Sequence, residues 1–184
     1  MGFLNLISHP MRETLSLRTW ALLKIPMLSF VGPRVIELSS QRCVMGIPLN
    51  RRTRNHLGSM YFGVLCAGAD CAGGLMAMKL IRESGRSVSL IFKDFRAEFL
   101  KRPEGDVLFT CEDGAAIAGL VERVIASGER EHLPVQVTAT VPSVSGDEAV
   151  ARFVLTLSLK ARGDHPTPAG KGDQFPGTKS SVVR

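Results

Sequence analysis

Tyr61-Phe-Gly-Val-Leu-Cys-Ala-Gly-Ala-Asp-Cys-Ala-Gly-Gly-Leu-Met-Ala-Met-Lys79 decides how this chain is read. The segment Tyr61 to Glu83 follows a polar loop, Asn50–Met60. Between Asn55 and Met78 the one formal charge is Asp70. On a helix, at about 100° per residue, Asp70 shares a face with Gly63, Cys66, Ala67, Gly73, Gly74 and Ala77, all of them small. Val64, Leu65, Leu75 and Met76 fall on the other side. A glycine in a helix interior costs about 1 kcal/mol. Gly63, Gly68, Gly73 and Gly74 therefore imply that something approaches this backbone closely, a ligand or a partner chain. The expectation is a buried central helix with a shallow trough holding one carboxylate. The plainer alternative for Asp70 is a structural carboxylate with permanent partners, since an unpaired buried one is costly.

The 184 residues suit one domain with a sizeable core. Before the central segment, Pro10–Leu28 suits an amphipathic helix. Met11, Leu15, Leu22 and Leu23 recur near helical spacing, Ser8 stands as N-cap, and Pro26 ends or kinks the helix. A packing helix is the expectation, with a membrane-surface anchor as the alternative. Gly32-Pro33 turns the chain into two strands, Arg34–Ser39 and Arg42–Leu49. Ser84-Gly85 stops the central helix.

Beyond it, Ser87–Lys93 and Asp94–Leu100 alternate as strands and join through a bulge if they are one. Asp106–Cys111 alternates again. Asp113 is placed to cap a helix over Gly114–Ala126 that Gly128 ends. Leu133–Val141 is the cleanest strand, and Ala149–Lys160 returns against it as a hairpin with one buried face. From residue 163 the composition shifts to Gly, Pro, Lys and Asp, which reads as a disordered tail. The order is that of an α+β domain over residues 31–162: a curved antiparallel sheet wrapped around one long helix, with an N-terminal helical extension over residues 1–30 and an inserted helix.

Charge narrows the partners. Residues 1–54 carry a net +6, residues 55–111 +1 and residues 112–184 −1. The excess is N-terminal, and Arg51, Arg52 and Arg54 directly precede the central helix, where they could meet phosphates. One Trp, one Tyr and no basic–aromatic interleaving argue against nucleic acid. Cys43, Cys66, Cys71 and Cys111 form no C-x-x-C pair and lie in apolar surroundings, as reduced core residues do; no metal site is expected. No apolar run reaches bilayer-spanning length, no cleavage site marks a signal peptide, and Leu6 stands where a myristoylation start needs Ser or Thr. A cytoplasmic protein is expected.

Asn55-His56-Leu57-Gly58-Ser59-Met60-Tyr61-Phe62-Gly63, followed by Ala69-Asp70, carries a resemblance. Over roughly residues 28–162 the chain resembles the hotdog fold of the thioesterase superfamily. Its nearer resemblance is to the DUF4442 branch, related to the PaaI-like phenylacetyl-CoA thioesterases. Asn55, Gly58, Gly63 and Asp70 match the PaaI-like pattern in register; Tyr61 and Phe62 stand where that pattern has His and Gly.

The resemblance implies that the Gly63 amide polarises a thioester carbonyl, that Asp70 acts as general base or nucleophile, and that Asn55 orients water or the thioester. Gly58, Tyr61, Phe62 and His56 would line the substrate site, and Arg51, Arg52 and Arg54 would take the phosphates of CoA. It implies an acyl-CoA or acyl-carrier thioester as substrate, no cofactor, and a homodimer joined sheet edge to sheet edge, with tetramers left open. Two alternatives remain: an acyl- or lipid-binding protein without turnover, and a hydratase or dehydratase using His56.

Overall fold

A computed structural model describes residues 9–162; the expected N-cap Ser8 and the tail from residue 163 lie outside them. The elements are α1 (His9–Lys24), α2 (Pro26–Val31), β1 (Arg34–Leu38), β2 (Cys43–Ile47), α3 (Phe62–Glu83), β3 (Val88–Phe99), β4 (Val107–Cys111), α4 (Gly114–Ser127), β5 (Glu131–Thr140), α5 (Pro142–Ser145) and β6 (Ala149–Ala161). The six strands form one antiparallel sheet in the order β1-β2-β4-β5-β6-β3. Alternation sets its faces. Val135, Val137 and Ala139 on β5 point inward with Phe153, Leu155 and Leu157 on β6 and Phe109 on β4, and all are buried. The helix they enclose is α3, with α4 packed beside it over β5 and β6.

Contrary to the expectation that no apolar run reaches bilayer-spanning length, α3 is long and apolar enough to cross a membrane, the one such helix among the described residues; two-thirds of its most apolar stretch is buried inside the protein. The sheet explains one of its glycines, Gly68. A Cβ on Gly68 would lie 2.3 Å from the Phe109 ring, so only glycine lets that ring seat. A Cβ on Gly73 would touch Val135 at 3.4 Å, and one on Gly74 would touch Phe92 at 3.4 Å. The close approach read from the sequence is real at Gly68, where a sheet side chain makes it; at Gly73 and Gly74 the sheet side chains are at ordinary contact distance. Gly85, at φ +66°, follows the helix in the left-handed conformation that L side chains resist.

Three other local readings are refined. Residues 88–99 are one strand, with a register shift between Phe92 and Phe95. Asp113 stands before α4 without capping it; its carboxylate accepts the Gln136 N–H at 2.6 Å, a cross-strand partner. The N-terminal helix breaks at Ile25, and Pro26 starts α2. α1 turns Leu17 and Ala21 to the core and leaves Met11, Leu15, Leu22 and Leu23 exposed, the reverse of the packing face expected.

Candidate active site

The loop 50–60 is built to deliver α3. Asn50 Oδ1 accepts the Arg52 N–H at 2.8 Å, and the buried Thr53 hydroxyl donates to the Pro48 carbonyl at 2.7 Å. Asn55 closes the next turn: its Oδ1 accepts the Leu57 N–H at 2.9 Å, and its Nδ2 donates to Ser59 Oγ at 3.2 Å. Gly58 takes φ +83° in that turn. Met60 N–H donates to the Pro103 carbonyl at 2.9 Å, pinning the helix start beside the chain after β3.

At the start of α3, the Tyr61 carbonyl accepts the Val64 and Leu65 N–H groups at 2.9 and 3.2 Å. The amides of Phe62 and Gly63 come before these bonds and have no backbone acceptor among the described residues, as the first turn of a helix requires. They sit at the positive end of a 22-residue helix. The Tyr61 ring lies over Gly63, where a Cβ would meet it at 2.6 Å. A cavity of about 380 Å³ opens here, lined by Asn55, His56, Tyr61 and Phe62 on one side and by Phe99, Lys101 and Arg102 on the other. It is mainly apolar, with cations at the rim; Lys101 is paired with Glu148 at 2.5 Å and Arg102 with Glu104 at 3.2 Å.

α3 runs antiparallel to β3. Phe62 meets Phe99 edge to face at 6.2 Å, and about three turns on, Gly74 lies against Phe92. Along this side, the residues from 62 to 77 that stay open to solvent are Phe62, Gly63, Cys66 and Asp70, one stripe on an otherwise buried helix. The trough read from the sequence therefore exists, but only over its first half. Opposite it stand Phe95 and Phe99, 41% and 48% exposed although they face inward, because β3 is an edge strand with no further strand paired to it among the described residues.

Asp70 lies in this stripe. Burial pushes its carboxyl from 3.8 up to about 6. Among the described residues no hydrogen bond or ion pair reaches it. Seven residues separate it from Gly63, about 10 Å along the axis at 1.5 Å per residue. One chain therefore brings Asn55, His56, Tyr61, Phe62 and the free amides together and holds the acid two turns away. Gly58 is exposed in the loop. Arg51, Arg52 and Arg54 do not line the cavity; Arg52 instead covers the Phe30 ring at 5.6 Å. Sequence reading missed Lys101, Arg102 and Phe99. Their signal was the Pro103 turn that follows β3, which says nothing about which loop it meets.

No cluster of three metal-ligating side chains occurs among the described residues. Buried thiols are held protonated: Cys43 rises to about 12 and Cys111 to about 11, both mainly by burial, and Cys71 is pushed higher still by burial and the neighbouring Asp70.

The model of the DUF4442 family, a domain of unknown function, matches residues 14–159, and the chain belongs to that family. A Pseudomonas aeruginosa protein of unknown function, called a probable thioesterase, superposes with a TM-score of 0.69 at 23% identity, over 83% of this chain and 98% of its own. A protein of unknown function from Chlorobaculum tepidum gives 0.71 at 12% identity, over 83% and 97%. A thioesterase from Haemophilus influenzae gives 0.59 at 17% identity, over 80% and 92%. At these identities the likeness establishes the hotdog fold. No curated protein matches this chain.

Proposed function

We propose that this protein hydrolyses an acyl thioester carried on CoA or an acyl-carrier protein, and does so as a homodimer. The observation that carries the proposal is Asp70, a desolvated acid with no hydrogen-bond or ion-pair partner among the described residues, on the open stripe of a buried helix whose first amides have no backbone acceptor among those residues. The structural neighbours named thioesterases support the same chemistry. The thioester oxygen would accept hydrogen bonds from the Phe62 and Gly63 amides, which stabilise the oxyanion as it forms. Asp70 would take a proton from water as its oxygen attacks the carbonyl carbon. The C–S bond then breaks, and the thiolate leaves and is protonated.

About 10 Å is too long for one carbonyl to reach both groups on the same helix. The amides of one copy would serve the acid of the other across a two-fold axis, with Asn55 ordering the water. The second copy would also cover Phe62, Phe95 and Phe99 and pair the open edge of β3. Lys101 and Arg102, on the cavity rim, are better placed for CoA phosphates than Arg51, Arg52 and Arg54.

A panel of acyl-CoAs with a thiol-trapping dye tests this reading. Turnover abolished in Asp70→Asn supports it; turnover undiminished in that variant removes the role of Asp70. A second reading has its own observation. Tyr61, whose ring covers Gly63, replaces the His of the PaaI-like pattern, and Phe62 adds bulk where that pattern has Gly, which favours an acyl-binding protein without turnover. An acyl ligand retained in native mass spectrometry, with no thioester hydrolysed, would select it.

A further inference from the structure

The corner between α1 and α2 carries the densest run of exposed large apolar residues in the described chain. Leu22 is 62% exposed, Leu23 75%, Met27 59% and Phe30 56%, with Ile25 between them at 37%. Five large apolar side chains in nine consecutive residues face water. Met11 and Leu15 continue the face of Leu22 up α1, at spacings of four and seven residues. The inner side of both helices is fully used: Leu17, Ala21, Leu28 and Val31 are buried in the core. Nor is the corner loose. The Ile25 N–H donates to the Ala21 carbonyl at 2.8 Å, and Arg18 ties the end of α2 to α1 through the Gly32 and Pro33 carbonyls at 3.2 and 3.1 Å. The protein therefore presents these side chains on a fixed support.

The charge around this corner has one sign. Lys24 sits within it and is exposed. Arg52 lies over the Phe30 ring at 5.6 Å while still exposed, with Arg51 exposed beside it in sequence. The acids of residues 9–54 are turned elsewhere: Glu13 is partly buried on α1, and Glu37 is held by Arg42 at 3.4 Å. The whole net positive charge of the chain resides in its first 54 residues. Apolar side chains with cations at their margin complement a surface that is apolar within and anionic at its boundary. A projecting corner also suits a deformable surface.

The geometry points to a membrane-docking site: the α1–α2 corner seats Leu22, Leu23, Met27 and Phe30 among the acyl chains of an anionic lipid bilayer, while Lys24, Arg51 and Arg52 meet its phosphates. The loop that carries Arg51 and Arg52 continues to Asn55 and His56 at the cavity, so docking would hold that cavity close to the lipid surface. This inference does not depend on the hydrolytic reading.

Sedimentation of the full chain with vesicles tests it. Binding is expected to vesicles of equal parts phosphatidylcholine and phosphatidylglycerol, to be absent with phosphatidylcholine alone, and to weaken as salt rises. Leu23→Ser with Phe30→Ser lowers the partition coefficient by about tenfold or more, at unchanged circular dichroism. Arg51→Gln with Arg52→Gln lowers it roughly fivefold per cation on the anionic vesicles. Failure to bind either vesicle, or equal binding to both, overturns the proposal. So does a Leu23→Ser, Phe30→Ser variant that binds vesicles as before. A change of oligomeric state in that variant by analytical ultracentrifugation, without vesicle binding by the parent, assigns the corner to a second copy instead.

Discussion

Replacing Asp70 by Asn is expected to make the protein more stable while abolishing the proposed activity, and the gain is expected to depend on pH in one direction only. Burial lifts the Asp70 carboxyl from 3.8 to about 6, so the folded state prefers it protonated. A raised folded pKa gives a contribution fully present below the unfolded value, near pH 4, and lost as pH rises through about 6. At about 1.4 kcal/mol per pH unit, the gap amounts to about 3 kcal/mol of destabilisation at pH 8. Asparagine has nearly the same shape and no charge to desolvate. Urea unfolding of both proteins at pH 4, 5, 6 and 8 reads the difference directly. Asp70→Asn is expected to be near neutral at pH 4 and about 2–3 kcal/mol more stable at pH 8, a rise in Tm of roughly 5–10 °C. A variant no more stable than its parent at pH 8 would show that the carboxylate has a permanent partner. A gain that does not change with pH would show that its cause is not ionisation.

The remaining predictions address activity, packing and thiols. If Asp70 is the general base, kcat/KM for an acyl-CoA rises as pH climbs through about 6 and then levels, and Asp70→Asn lowers it by about a hundredfold or more; a profile flat from pH 5 to 8 contradicts the assignment. Gly68→Ala drives a methyl group into the Phe109 ring and is expected to cost about 1–3 kcal/mol by urea unfolding. Gly119→Ala on α4 meets only the end of the Arg123 side chain, at 3.4 Å, and is expected to gain up to about 1 kcal/mol of helix propensity. Of the four cysteines, Cys66 alone is partly exposed, so mass spectrometry after a brief thiol-reagent pulse on the folded protein finds the label there; Cys43, Cys71 and Cys111 label only on unfolding.

Much of this fold was legible because alternation and end signals are local. The five-fold alternation from Leu133 to Val141 could only be a half-buried strand, and Gly85 and Gly128 both take the left-handed turn their positions after α3 and α4 suggested. The readings that failed were ones that depended on an unseen neighbour. Asp113 has the right type and position for a cap, yet the Gln136 amide from β5 took its carboxylate. The small residues of α3 signalled close approach, but a helical wheel cannot name Phe109 as the group approaching Gly68. On α1 the apolar residues occur on more than one face, so periodicity alone could not choose Leu17 and Ala21 over Met11 and Leu15 as the buried set. In the site, the distance from Gly63 to Asp70 follows from helix rise alone. The far wall of the cavity, at Phe99, Lys101 and Arg102, required the tertiary fold.

The seating of Phe109 against Gly68 has a consequence for descent. A ring and the bare backbone that receives it cannot change independently: alanine or serine at 68 collides unless the residue at 109 shrinks, and a smaller residue at 109 leaves a void that a larger one at 68 would fill. Across homologues these two positions should therefore covary in volume, their sum nearly constant.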